Sequence, residues 1–121
     1  AAGLKTLEII QRAGFYENLT ARTEQLVNGI NQAAKQAGIT FTADSIGGMF
    51  GFYFADHAPQ NYSDMAASNI AAFKTFFHGL LERGVVLGPS AYEASFMSAA
   101  HTAELVDETI AMAAEVFAQM A

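Results

Sequence analysis

Apolar residues return every three or four positions in four separate stretches of the chain, and each such run predicts a helix with one face turned inward. Leu4, Leu7 and Ile10 mark the first, over residues 1 to 13, with Gly14 as its stop. The second runs from about Phe15 to Ala37. There Leu19, Leu26, Ile30, Ala33 and Ala37 share a stripe, Arg22, Glu24 and Lys35 lie mostly off it, and Gly38 ends it. A third starts from a cap at Ser63 or Asp64, carries Ala66, Ile70, Phe73, Phe77 and Leu80 inward and stops at Gly84. The last spans about Ala103 to Met120 behind a Thr102 cap, with Val106, Ile110, Ala113, Val116 and Phe117 inward. Glu104, Asp107 and Glu108 are expected in its first turn, where the helix dipole favours anions.

Between the helices the period shortens. Ile39-Thr40-Phe41-Thr42 alternates as a strand does, and Asp44-Ser45 is turn chemistry. Ile46 to Phe54 is aromatic enough for a strand, while Gly47, Gly48 and Gly51 within it mark a bulge or a close backbone approach. A glycine-rich phosphate cradle is the other reading of this run. No Gly-Lys-Ser/Thr follows, and no helix opens directly after the glycines, so the structural reading is preferred. Residues 56 to 63, with Pro59 and Asn61, read as loop. Val85 to Leu87 and Ala94 to Met97 read as short strands on either side of a break at Gly88-Pro89-Ser90. Helices and short strands interleave without a βαβ rhythm, which predicts an α+β domain: a small, mostly antiparallel sheet covered by helices.

At 121 residues the chain is one domain by size, large enough to bury roughly two thirds of its unfolded surface. Hydrophobic residues make up 52%, yet the longest uncharged stretch is the eleven residues from Ser45 to Ala55, short of the ~20 that a spanning helix needs, so no membrane span is expected. The lack of cysteine removes disulfides, thiolate nucleophiles and cysteine-based metal sites, and fits a cytoplasmic protein. A net charge of −6, with six basic residues in all, argues against a nucleic-acid partner. The opening residues, Ala1-Ala2-Gly3-Leu4, hold no initiator methionine and no basic segment ahead of an apolar one. No signal peptide is expected, and the chain reads as a piece of something longer.

Candidate chemistry is sparse. His57, His78 and His101 are too far apart to form a local metal motif, and no metal site is expected. His101, beside the Thr102 cap, suits a turn-stabilising hydrogen bond. Ser90, Ser95 and Ser98 lie in no nucleophile-elbow pattern, and the spacing places no base beside them. Glu93 is more informative, standing on a turn between two strand-like runs where a sheet would hold it. From Gly84 to Ala121 there is no lysine or arginine, whereas Glu93, Glu104, Asp107, Glu108 and Glu115 are all present. If this stretch faces a ligand, the group it favours is a cation.

Three segments carry a family resemblance. Ile46-Gly47-Gly48-Met49-Phe50-Gly51-Phe52-Tyr53-Phe54, then Phe73-Lys74-x-Phe76-Phe77, then Gly84-Val85-x-Leu87-x-Pro89-Ser90-Ala91-Tyr92-Glu93-Ala94-x-Phe96-Met97-Ser98-x-Ala100-His101-Thr102 resemble the C-terminal part of the glutamate-1-semialdehyde 2,1-aminomutases. The Pro-Ser-aromatic-Glu-Ala run followed by Ala-His-Thr is the specific part, and order and spacing fit from the first helix to the last. The resemblance implies the C-terminal small domain, residues 1 to 121, of a longer fold-type-I pyridoxal-phosphate enzyme. Such an enzyme is a cytoplasmic homodimer that converts glutamate-1-semialdehyde to 5-aminolevulinate for tetrapyrrole synthesis. It cycles pyridoxal and pyridoxamine phosphate, and its large domain supplies the Schiff-base lysine and the cofactor-binding residues. Lys5, Lys35 and Lys74 match none of these, so the chain by itself is expected to bind no cofactor and to be inactive. What carries over is Glu93, aligned with a family glutamate that faces cofactor and substrate; there it serves as an auxiliary group that pairs with the ammonium of the diamine intermediate and helps retain it. Gly88 stands where the family commonly has alanine, and Ser95 where it usually has glycine. Another class III aminotransferase is the nearest alternative, made less apt by the lack of a substrate-binding arginine; a non-catalytic α+β interaction module is the other.

Overall fold

The two helices with the fullest apolar stripes form where their caps and stops set them. In the computed structural model, which describes all 121 residues, α2 (Phe15–Gln36) ends just before Gly38, whose φ of +71° is the left-handed value a helix stop requires. The Thr102 side chain caps α5 (Ala103–Met120) by accepting the Leu105 N–H at 3.3 Å. Of the three acidic residues expected in its first turn only Glu104 lies there, Asp107 and Glu108 falling in the second. The Glu104 carboxyl lies below the usual range because its own backbone N–H, and next the Thr102 hydroxyl, favour the anion. The remaining elements are α1 (Ala2–Ile10), β1 (Thr42–Ile46), β2 (Met49–Tyr53), α3 (Tyr62–Ala67), α4 (Ile70–Glu82) and β3 (Ser95–Phe96). The strands make one antiparallel sheet in the order β1-β2-β3, so the class is the α+β expected.

Helices cover one face of that sheet. Phe50 and Phe52 of β2 turn inward with Phe54, and Phe41 joins them against Phe76 of α4 and Phe117 of α5. Phe76 and Phe117 are fully buried and stacked, centroids 4.7 Å apart. α5 approaches both of its neighbours over glycine: the Ile110 side chain fills the space a Cβ at Gly29 would need, and a Cβ at Gly79 would lie 2.7 Å from Val116 Cγ1. The opposite face of the sheet, with Ile46, Met49 and Phe96, is open to solvent.

Several expected boundaries are corrected. The first helix stops at Ile10 instead of residue 13, and Gly14, at φ +80°, opens α2 instead of closing α1. No residue of α1 is buried, so packing gives it no reason to extend. Residues 39 to 41 are not strand, and Asp44 and Ser45 are not the turn but lie within β1. That edge strand buries only Ala43, which Asn31 holds from α2 by accepting its N–H at 2.8 Å and donating to its C=O at 2.9 Å. The turn is Gly47-Gly48 inside the aromatic run, with Gly47 at φ +57° and Ile46 paired to Met49, as a two-residue hairpin needs.

The third helix is two helices. Asn61, not Ser63 or Asp64, caps α3 by accepting the Asp64 N–H, and the Asp64 carboxylate accepts from Gln60 N–H and the Asn61 side chain. Ser68 closes α3 with a bond to the Met65 carbonyl, and Asn69 caps α4 while its own N–H is tied to the Phe54 carbonyl. Val85 to Leu87 makes no strand: Val85 N–H bonds back to Leu80, and Val86 is exposed. Of the run Ala94 to Met97 only Ser95 and Phe96 pair in the sheet.

Candidate functional site

Proline at position 89 follows the unpaired residues 85 to 88 after α4, and a small buried side chain then pins the turn that follows. Ala91 is buried, the Ser90 hydroxyl accepts the Tyr92 N–H at 3.2 Å, and the Glu93 N–H donates to the Ser90 carbonyl at 3.1 Å. Glu93 therefore sits at the end of a hydrogen-bonded turn. The sheet holds it from one side only, through β3 and the 2.7 Å bond from Met97 N–H to the Gly48 carbonyl; the expected strand on its other side is missing. Ser95, where the family resemblance leads one to expect glycine, is an ordinary ladder residue opposite Phe50, with no positive φ to demand a glycine.

The Glu93 side chain is exposed and takes part in none of the ion pairs, which join Lys5 to Glu8, His57 to Asp56 and Arg83 to Glu115. Its carboxylate folds back on Gly88, where a Cβ would lie 2.7 Å from Oε2 and 3.4 Å from the Glu93 Cβ. An alanine at 88, which the family resemblance leads one to expect, would displace this carboxylate. Glu93 borders a cleft of about 380 Å³ shared with Tyr53, Gln60, Asn61, Tyr62 and Tyr92, with no basic residue in its lining. An unpaired carboxylate among aromatic rings is a setting for an organic cation. A separate apolar cleft of about 340 Å³, between Phe50, Leu87, Phe96 and Leu105, carries His101 at its edge.

The sequence pattern does not mark Tyr53 or Tyr62 as site residues. Tyr62 lies in the predicted loop of residues 56 to 63, and the ring it stacks on, Tyr92, is thirty residues away. The Tyr53 ring lies across Gly51, and burial, then the Asp44 carboxylate, raises its phenol above the ordinary 10.0. The folded state thus favours the neutral phenol. Its contribution is fully present below pH 10 and is lost as pH climbs through the raised value. Urea midpoints measured from neutral into alkaline pH should fall more for the parent than for Tyr53→Phe above pH 10. Parallel curves would count against it.

The other candidates are structural. His101 Nδ1 accepts the Ser98 N–H at 3.0 Å, the turn-stabilising bond expected of it. His57 is exposed beside Asp56, and His78 is exposed on α4, edge-on to Phe77. The Ser90 and Ser98 hydroxyls each accept a backbone N–H two residues on. Lys5, Lys35 and Lys74 are exposed on α1, α2 and α4. No three metal-binding side chains converge, and no helix is long and apolar enough to cross a membrane.

No family model matches the chain. It is 74% identical over all 121 residues to glutamate-1-semialdehyde 2,1-aminomutase of Neisseria meningitidis serogroup C, and 55% identical over 120 residues to that of Polynucleobacter asymbioticus. The resemblance carried by the three segments thus holds along the whole chain. The chain spans 28% of the length of these relatives and matches their C-terminal region. Among solved structures it is similar to a transaminase with PLP bound, at TM-score 0.77 and 25% identity, over 97% of this chain and 26% of that one. An omega-transaminase from Sphaerobacter thermophilus shares the fold at TM-score 0.77 and 16% identity, over 96% of this chain and 26% of that one.

Proposed function

We propose that this chain is the C-terminal small domain of a glutamate-1-semialdehyde 2,1-aminomutase, a pyridoxal-phosphate isomerase that makes 5-aminolevulinate for tetrapyrrole synthesis. The 74% identity over the full chain is the observation that carries this reading. The open sheet face with Ile46, Met49 and Phe96 supports it, because it offers the rest of such an enzyme an apolar surface to pack on. The proposal includes a cytoplasmic homodimer.

The chain's own residues do not fit the cofactor. Its lysines are exposed on separate helices, and none lies in the cleft beside Glu93. Cofactor binding is accordingly assigned to the remainder of the enzyme, and the chain alone is inactive. Glu93 contributes a carboxylate that no other side chain neutralises, on a hydrogen-bonded turn in a segment without lysine or arginine. It holds the ammonium of the substrate and of the diamine that must not escape before turnover ends. In the full-length enzyme, Glu93→Gln keeps the shape and removes the charge. Steady-state assays should show kcat/KM for glutamate-1-semialdehyde falling about tenfold to a hundredfold, the value of a charge-assisted hydrogen bond, with more diamine released. Unchanged kinetics and unchanged release would remove Glu93 from the site.

A further inference from the structure

Tyr62 is the first residue of α3, and Tyr92 immediately precedes Glu93. Their rings stack with centroids 5.8 Å apart and planes at 27°, although Tyr62 is 75% and Tyr92 51% exposed. Water drives little of this contact, since neither ring is deeply buried by it. What it does accomplish is mechanical. On one side Glu93 runs into β3, but on the other residues 85 to 88 pair with no strand. The turn is held there by buried Ala91, by the Ser90 hydroxyl and by the tyrosine stack. Tyr62 makes a firm anchor, because the mutual cap of Asn61 and Asp64 fixes the backbone on which it stands.

We propose that Tyr62 is a positioning residue for Glu93: stacked on Tyr92, it ties the carboxylate-bearing turn to the capped start of α3. The functional half of this proposal rests on the reading of Glu93 as the group that holds the substrate ammonium. A flexible turn would spread the carboxylate over many orientations, and an aromatic pair of this kind biases such an equilibrium by roughly threefold to tenfold. Chain order hides the arrangement, since Tyr62 and Tyr92 lie thirty residues apart in the sequence.

The test uses the whole enzyme and two readouts. Hydrogen exchange followed by mass spectrometry reports the amides of Tyr92 and Glu93, both of which donate within the turn. Tyr62→Ala should accelerate their exchange by about threefold to tenfold and lower kcat/KM by a similar factor, while exchange in α4 and α5 stays as in the parent. Tyr62→Phe, which keeps the ring, should restore both. Unchanged exchange at residues 92 and 93 in Tyr62→Ala would overturn the tie. Faster exchange together with a silent Glu93→Gln would leave the tie standing and overturn its functional half. If Tyr62→Ala does not fold, Tyr92→Ala and Tyr92→Phe, which lie outside any helix or strand, carry the same expectations and the same refutations.

Discussion

Phe76→Ala is expected to lower the stability of the domain by about 3–5 kcal/mol, the largest effect of any single truncation in this core. The ring is completely buried, stacked on Phe117 and in edge or tilted contact with Phe41, Phe52 and Phe54. Those neighbours come from α5, from the loop before β1 and from both sides of the β2 end, so no single element can move in to fill the space. Domains of this size hold about 5–15 kcal/mol in total, and the variant should therefore sit close to its unfolding threshold at physiological temperature. Urea denaturation reads this directly: the midpoint should drop sharply while the slope stays near that of the parent. Phe76→Leu, which keeps most of the volume, should cost about half as much or less. A Phe76→Ala midpoint within error of the parent would mean that the aromatic cluster collapses onto the gap and does not act as a rigid core.

Asn31→Leu is the second large effect, and it works by a different mechanism. Asn31 is the polar brace between α2 and β1, satisfying both the N–H and the C=O of Ala43, a residue only 5% exposed. Leucine occupies a similar volume and takes both partners away, leaving a buried donor and a buried acceptor without bonds. Each orphaned group costs about 1–3 kcal/mol, so the loss from the pair should be about 2–6 kcal/mol. Amide exchange at Ala43 should accelerate by more than exchange at the centre of β2. A loss below about 1 kcal/mol would show that water replaces Asn31 at the edge strand.

These two residues also show what was readable in advance. Phe117, Val116 and Ile30 lie on strong helical stripes, and a 3.6-residue period with Thr102 and Gly38 at its ends specifies α2 and α5 without any knowledge of their partners. The sheet was harder. β1 buries one alanine and owes its place to a side chain on another element, so it carries almost no alternation of its own. The hairpin was hidden because aromatic residues continue on both sides of Gly47-Gly48, and composition does not reveal where a run folds back. The division of α3 from α4 was hidden for the opposite reason: the apolar spacing from Ala66 to Ile70 passes through Ser68-Asn69 as though the helix were unbroken. At the candidate site, Glu93 stood out as a carboxylate on a turn in a segment free of basic residues. The tyrosines beside it did not, because their proximity is created by the fold.

The seating of α5 over Gly29 and Gly79 bears on the order in which the domain is built. Gln25 of α2 donates to the Ala103 carbonyl and to the Asp107 carboxylate across 78 and 82 residues of intervening chain, and Ile110 enters the same helix surface at Gly29. Until residues 103 to 120 emerge, α2 and α4 have no third helix between them, and Phe76 lacks the ring it stacks on. Completion must therefore wait for the closure of a loop of about eighty residues, and the entropy of that closure belongs to the folding barrier. A nascent chain stopped at residue 100 should be an open collection of helices with an exposed apolar seam, held for chaperones, and not a smaller version of the same domain.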